Sequence, residues 1–303
     1  MSRAPALRTR ERGVALVIVL WAIALMSVLL GSFALIAYTE NLESRHVFDT
    51  VTARYDAEAG LERAVYELRN ADPAQRWIAD GRPYEFDFEG AHVSVELTDE
   101  SGKIDINSAD PAVLVSLFVS VGVDLDRATA LVDAIQDWKD ADDLPLAQGA
   151  EIAEYKAAGM SYGPRNAPFQ TVTEIQQVFG MDYDLYSRIE PAITIYGTGG
   201  QPNPAFAPLE ALRALPNMTD DYAQQIIALR QTMIPGQPSA QPLLLPDGTP
   251  IVANGGGLTY SVKSRAVLPN GVSTVLEASF RIGGVGLSGR PYTVLRWRDG
   301  ETS

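Results

Sequence analysis

The chain of 303 residues contains no cysteine and only two histidines, His46 and His92. Without cysteine there is no thiol nucleophile, no thiolate metal site and no disulfide. Export to an oxidising compartment is still open, because disulfides are optional there. His46 falls on a predicted helix and His92 on a predicted strand, so neither a Ser-His-Asp triad nor a histidine zinc site has material to be built from. Positive charge is scarce as well: 24 Lys and Arg stand against 38 Asp and Glu, a formal net charge of −14. Such a surface repels nucleic acid, whose affinity comes largely from basic side chains at phosphates. No G-x-S-x-G, P-loop or Rossmann pattern occurs. A non-enzymatic role is the expectation.

Charge is missing altogether from residues 14–38, which run from Val14 to Tyr38. About 20 apolar residues suffice to cross a bilayer as a helix. Before them stand Arg3, Arg8, Arg10 and Arg12 against Glu11 alone, and a basic flank of this kind stays cytoplasmic. The expected topology is a single pass through an inner membrane with the C-terminal part in the periplasm. No A-x-A site follows the apolar run, as it would after a secretory signal. Good helix formers continue instead toward Asn70, with no proline before Pro73, so one helix is predicted over 14–70. Leu61, Val65 and Leu68 recur at i, i+4 and i+7 and give its second half an apolar face.

Two strands are predicted at Tyr84–Phe88 and His92–Thr98, joined by Glu89-Gly90-Ala91. In the second, Val93, Val95 and Leu97 alternate with Ser94 and Glu96. Three more are predicted at Tyr260–Leu268, Ser273–Ile282 and Tyr292–Trp297, the first two joined by Pro269-Asn270-Gly271. Between the groups, helical segments recur as a weak internal repeat: Ile106–Ile135, Phe169–Ile189 and Phe206–Leu229. Ser108 ahead of Pro111, and Thr171 ahead of Glu174, fit N-terminal caps. The units resemble helix-hairpin-helix repeats, which leaves a membrane-anchored DNA receptor as the alternative function. Their turns carry Val123-Asp124, Met181-Asp182 and Thr219-Asp220-Asp221, the wrong sign for phosphate. Residues 232–257, rich in proline and glycine, are predicted to be a long loop.

The strongest local chemistry is Asp137-Trp138-Lys139-Asp140-Ala141-Asp142-Asp143-Leu144-Pro145, followed by Gly149-Ala150-Glu151. Crowded carboxylates repel unless something neutralises them, and calcium takes six to eight oxygen ligands from flexible loops. The EF-hand pattern is not met, and spacing alone leaves a solvated acidic turn equally open.

The leader resembles that of type IV pilin-like proteins: a short basic segment ending in Gly13, then an apolar helix. That resemblance implies cleavage between Gly13 and Val14 by a prepilin peptidase. The fifth residue after the cut is Ile18, where most pilins carry glutamate; an apolar residue there either speaks against a pilin or points to a subunit at the filament tip, with no neighbour above it. Adding Ser101-Gly102-Lys103-Ile104-Asp105-Ile106-Asn107, the acidic run, and Tyr162-Gly163-Pro164-Arg165-Asn166-Ala167-Pro168-Phe169, the whole chain is similar to the minor pseudopilin K family of type II secretion. The resemblance implies an α+β fold, with a long N-terminal helix packed on an antiparallel sheet and a large all-α domain inserted between strands. The implied segments are a leader at 1–13, a spine helix at 14–70, sheet at 71–107, α-domain at 108–231, loop at 232–257 and sheet again at 258–298. It further implies structural calcium on Asp140, Asp142, Asp143 and Glu151, with Asp137 a lesser candidate because it is expected to end a helix. Its implied partners are minor pseudopilins I and J, through them H and the major pseudopilin, the prepilin peptidase and the inner membrane, but no nucleic acid.

Overall fold

Helix formers without a breaker produce one long helix. In the computed structural model, which describes residues 14–197, 199–234, 237, 242–252, 256–283 and 291–300, α1 spans Val14–Leu68. The leader and Gly13 lie outside the described residues. The chain divides into two units, Met1–Thr52 and Ala53–Ser303. In the first, the apolar side chains from Val14 to Ile36 are exposed on a helix long and apolar enough to cross a membrane. Ile18 is one of them, at 62% exposure. At 1.5 Å per residue the uncharged stretch 14–38 measures about 37 Å, more than a hydrocarbon core of about 30 Å.

In the second unit, the last turns of α1 lie on a five-stranded antiparallel sheet. The strands are β1 (Asp80–Phe88), β2 (Ala91–Asp99), β5 (Thr259–Val267), β6 (Ser273–Ile282) and β7 (Tyr292–Asp299), in the order β1-β2-β5-β6-β7. Leu61 and Val65 are buried as the periodicity predicts, and beside them runs a stripe of small residues: Ala53, Ala57, Gly60 and Ala64. The stripe sets the helix–sheet distance. A Cβ on Gly60 would overlap Ser264 Oγ and stand 3.0 Å from Val95 Cγ2. Val93, Val95 and Leu97 of β2 and Val262, Ala266, Leu276, Ala278 and Phe280 complete this core.

The β1–β2 hairpin is tighter than expected. Phe88 pairs with Ala91, leaving a two-residue turn in which Glu89 (φ 47°) and Gly90 (φ 93°) are both left-handed, as such a turn requires. β1 starts four residues before the predicted strand; its first inward positions hold Asp80 and Arg82, ion-paired at 2.8 Å, so no apolar alternation marks them, and its edge position tolerates the proline.

The polypeptide between β2 and β5 forms a second, helical core. Here α2 (Pro111–Ser120), α3 (Leu125–Lys139), α4 (Ile152–Ala157), α5 (Tyr183–Ile189), α6 (Leu209–Arg213) and α7 (Asp220–Thr232) surround Leu114, Leu117, Phe118, Leu131, Ile135 and Ile175. A short parallel pair of β3 (Ile104–Asp105) with β4 (Ile193–Thr194), too brief for any period to reveal, ties its start to the segment between α5 and α6. The repeat is real in backbone terms. Gly122 (φ 92°), Gly180 (φ 80°) and Asn217 (φ 58°) each turn the chain through a left-handed residue. The helix that follows is capped each time: Asp124 accepts from Arg127 N–H at 3.0 Å, Asp182 from Leu185 N–H at 2.8 Å, and Thr219 from Tyr222 N–H at 3.3 Å. Of the turn acids, Asp124 and Asp182 are therefore N-caps, while Asp220 and Asp221 lie in the first turn of α7 behind the Thr219 cap; all complement a helix N-terminus.

The first helices of the units depart from the predicted caps. Asp110, not Ser108, precedes α2, and it makes no side-chain cap bond. Ser108 Oγ donates instead to the Gly199 carbonyl at 3.1 Å. Val172–Gln177 is a 3-10 turn with no Thr171 side-chain cap, while Glu174 accepts from Gln170 N–H and pairs with Arg165, both at 2.9 Å. Within 232–257, Leu244 bridges Pro250 and Ile251 N–H reaches the Leu243 carbonyl at 2.7 Å, so part of this loop is a small hairpin packed on the helices.

Candidate functional site

The acidic run occupies the end of α3 and the loop to α4. α3 continues to Lys139, with Asp140 as C-cap, so Asp137 sits within the last helical turn rather than ending it. It is fully buried. Both its oxygens accept Leu146 N–H at 3.2 Å, which folds the loop back over the helix. Gly149 passes so close that a Cβ there would overlap Asp137 Oδ2; only glycine leaves room for the carboxylate. Asp142 Oδ1 accepts Leu144 N–H at 2.9 Å, and Asp143 Oδ1 accepts Asn166 Nδ2 at 3.2 Å. Asp142 and Asp143 are exposed, Asp140 half-buried.

Glu151 is different in kind. It precedes α4 and is 2% exposed. Glu154 accepts its N–H at 2.9 Å, half of a capping box, but among the described residues Glu151 Oε1 and Oε2 have no hydrogen-bond partner. Burial, then the charges of Asp137, Asp140, Asp143 and Asp142, push its carboxyl up to about 7. Burial foremost also raises Asp137 and Asp140. All four aspartates singled out in the sequence therefore act on Glu151. Asp140 Oδ1 and Asn166 Oδ1 are likewise buried and unpartnered. Among the described residues no three Asp, Glu, His or Cys side chains form a set that could hold a metal unaided. A calcium shell would need amide or backbone oxygens as well, as such shells commonly do.

Asn166 was not among the predicted site residues. It lies 23 positions beyond Asp143, outside any local spacing. Its left-handed backbone (φ 54°) and its N–H bond to the Trp138 carbonyl at 3.0 Å place its amide over the loop. Its Nδ2 also reaches the Asp142 carbonyl at 3.2 Å.

Three motifs far apart in sequence meet here. Asn107 exchanges two bonds with Phe169, its Nδ2 donating at 3.0 Å and its Oδ1 accepting at 2.8 Å. Lys139 Nζ donates to the carbonyls of Ile106 and Asn107 at 3.2 and 3.1 Å. The Trp138 ring stacks on Phe169 with centroids 6.1 Å apart. The segments 101–107, 137–151 and 162–169 thus form one latch beneath the acidic loop. Nothing here resembles a nucleophile with its base; the arrangement is suited to holding charge and fixing a loop.

Comparison with known proteins follows the same lines. Residues 95–198 match the family model described as type II secretion system (T2SS), protein K. The type II secretion system protein K of Klebsiella pneumoniae is 29% identical over 206 residues, covering 61% of this chain and 62% of its own length. That of Pseudomonas aeruginosa is 24% identical over 250 residues, 74% of each chain. The matched stretch spans less than two thirds of the Klebsiella relative. In fold, the chain is similar to a chain of the crystal structure named as the GspK-GspI-GspJ complex from the enterotoxigenic Escherichia coli type 2 secretion system. The TM-score is 0.54 at 17% identity, over 88% of this chain and 99% of that one.

Proposed function

We propose that this chain, whose resemblance to type II secretion protein K is borne out by the family model and the relatives just described, works as a non-enzymatic minor pseudopilin. In this reading it sits at the tip of the pseudopilus and initiates or caps assembly for protein export across the outer membrane. The observation that carries the reading is the order of elements: an apolar helix continuous with a sheet-packed one, and a helical insert between β2 and β5. The apolar half of α1 supports a single inner-membrane pass with the sheet and insert in the periplasm. Prepilin peptidase would cut between Gly13 and Val14. Ile18 in place of glutamate suits a terminal subunit, because an unpaired carboxylate in an apolar core is expensive. The partners are minor pseudopilins I and J, and through them H and the major pseudopilin.

Calcium belongs to this reading. The unpartnered oxygens of Glu151, Asp140 and Asn166 fit a hard cation, and Asp142 and Asp143 stand on the same loop. When bound, calcium supplies the positive charge that the carboxylates lack. The chain's own residues do the rest: Asp137 and Gly149 close the loop on α3, and the Asn107–Phe169 and Lys139 bonds hold its base. Co-expression of the full chain with I and J from the same source, followed by size exclusion in detergent with calcium and with chelator, tests the proposal. A ternary complex is expected, weakened in chelator; a chain that binds neither partner in calcium overturns it.

A further inference from the structure

Away from the acidic loop, a cavity of about 540 Å³ lies where the end of α1, the start of β1, the end of β2 and α7 meet. Trp77, Phe206, Ile234 and Tyr260 give it apolar and aromatic walls. Trp77 is held in place by stacking on Tyr84, with centroids 4.2 Å apart and planes within 2°. Arg82 and Arg230 also line it. Arg82 is already neutralised: its Nε and Nη2 grip Asp80 at 2.9 and 2.8 Å, and its Nη1 donates to the Met233 carbonyl at 2.9 Å.

Among the described residues Arg230 makes no ion pair of its own; Asp80, already gripped by Arg82, acts on it only through space. Arg230 is 3% exposed, and its Nη1 and Nη2 donate to neutral carbonyls, Pro204 at 3.0 Å and Ala207 at 2.8 Å. Among the described residues its Nε–H has no acceptor. Burial lowers its pKa to about 10, which still leaves it charged at neutral pH. A buried donor without an acceptor costs about 1–3 kcal/mol. Asp99 does not serve: its oxygens accept Ser101 N–H at 2.8 Å and Gly257 N–H at 2.8 and 3.1 Å, and it forms no ion pair with Arg230.

We propose that this cavity is a binding site for an amphiphilic organic carboxylate, its apolar body against Trp77 and Tyr260 and its carboxylate on Arg230. The volume falls in the range of small-molecule sites, about 300–1,000 Å³. A free peptide C-terminus with a large apolar side chain and a short fatty acid share this chemistry. The inference does not depend on the secretion reading.

Equilibrium dialysis of the full chain in nanodiscs tests it, with N-acetyl-phenylalanine, hexanoate and the carboxamide of each as probes. At least one carboxylate is expected to bind saturably with one equivalent per chain. Binding of N-acetyl-phenylalanine alone identifies a peptide end as the source, binding of hexanoate alone an acyl chain, and binding of both the shared chemistry. Any bound carboxylate should exceed its carboxamide by about tenfold or more, the worth of a charge-assisted bond. Ile234→Trp, at a side chain 57% exposed, should fill the cavity and abolish binding without changing thermal unfolding. No saturable carboxylate binding, a carboxamide that binds equally well, or unchanged binding to Ile234→Trp would each overturn the proposal.

Discussion

Raising the pH of the calcium-free protein from about 5 to 8 should weaken it, and Glu151→Gln should remove most of that loss. The Glu151 carboxyl has an ordinary value of 4.5 and is lifted to about 7 in the fold. Between those values the folded chain keeps a proton that the unfolded chain has released. Stability is therefore fully present below the unfolded value, falls as pH rises through the window, and has lost this contribution above about 7. One pH unit is worth about 1.4 kcal/mol, so the displacement corresponds to on the order of 3 kcal/mol. For a domain of this size about 1 kcal/mol moves Tm by about 2–4 °C, giving a drop of roughly 6–12 °C. Asp137 and Asp140 are raised too, so they push in the same direction at lower pH.

Gln keeps the shape of the side chain and cannot ionise, which isolates the charge from the packing. The assay is thermal unfolding of both chains across pH 5–8 in chelator, repeated with calcium. Calcium at pH 8 should restore wild-type stability, because a cation supplies what the unpartnered oxygens lack, and should help Glu151→Gln much less. A chelated wild-type protein whose Tm is flat or rises over this range would refute the reasoning, as would a Glu151→Gln variant with the same slope.

Other consequences are equally direct. Gly60→Ala adds about 1 kcal/mol of helix propensity but must displace Ser264 Oγ, an overpacking cost of about 1–3 kcal/mol. Ser264→Ala removes the closest obstacle, a hydroxyl that is buried and unpartnered among the described residues, while Val95 Cγ2 stays 3.0 Å away, so the double variant should recover most of the loss; additive effects in urea titrations would sink the close-approach reading. Asp124→Ala should cost about 1 kcal/mol through loss of a helix cap, measured against Asp126→Ala as a control without a capping role. Gly13→Ala should leave the leader uncleaved, checked by mass spectrometry of the N-terminus; a mature chain beginning at Val14 in that variant would remove the pilin-like assignment.

The strands were legible where inward positions are apolar, as in Val93, Val95 and Leu97, and failed where a charged pair takes those positions, as Asp80 and Arg82 do at the start of β1. The inner face of α1 was half legible. Leu61 and Val65 announce themselves by being apolar, whereas Ala53, Ala57, Gly60 and Ala64 matter by being small, and no apolar period registers that. The turn acids of the repeat have a sign adverse to DNA, but the positive task of Asp124 and Asp182 as caps depends on the left-handed glycines before them. At the site, local spacing picked out the carboxylates and could not rank them. Asp142 and Asp143 belong to the densest part of the run yet are solvated, so water already neutralises much of their charge. Glu151 is separated from them by Pro145 and Gly149, and looks peripheral in sequence. Burial reverses that order: with both oxygens dry and unpartnered, and four aspartates acting on it, Glu151 is where the charge of the loop is felt most. Asn166 completes the set only because the latch through Trp138, Phe169 and Asn107 brings a distant turn back onto α3, a relation between motifs that no spacing within one of them contains.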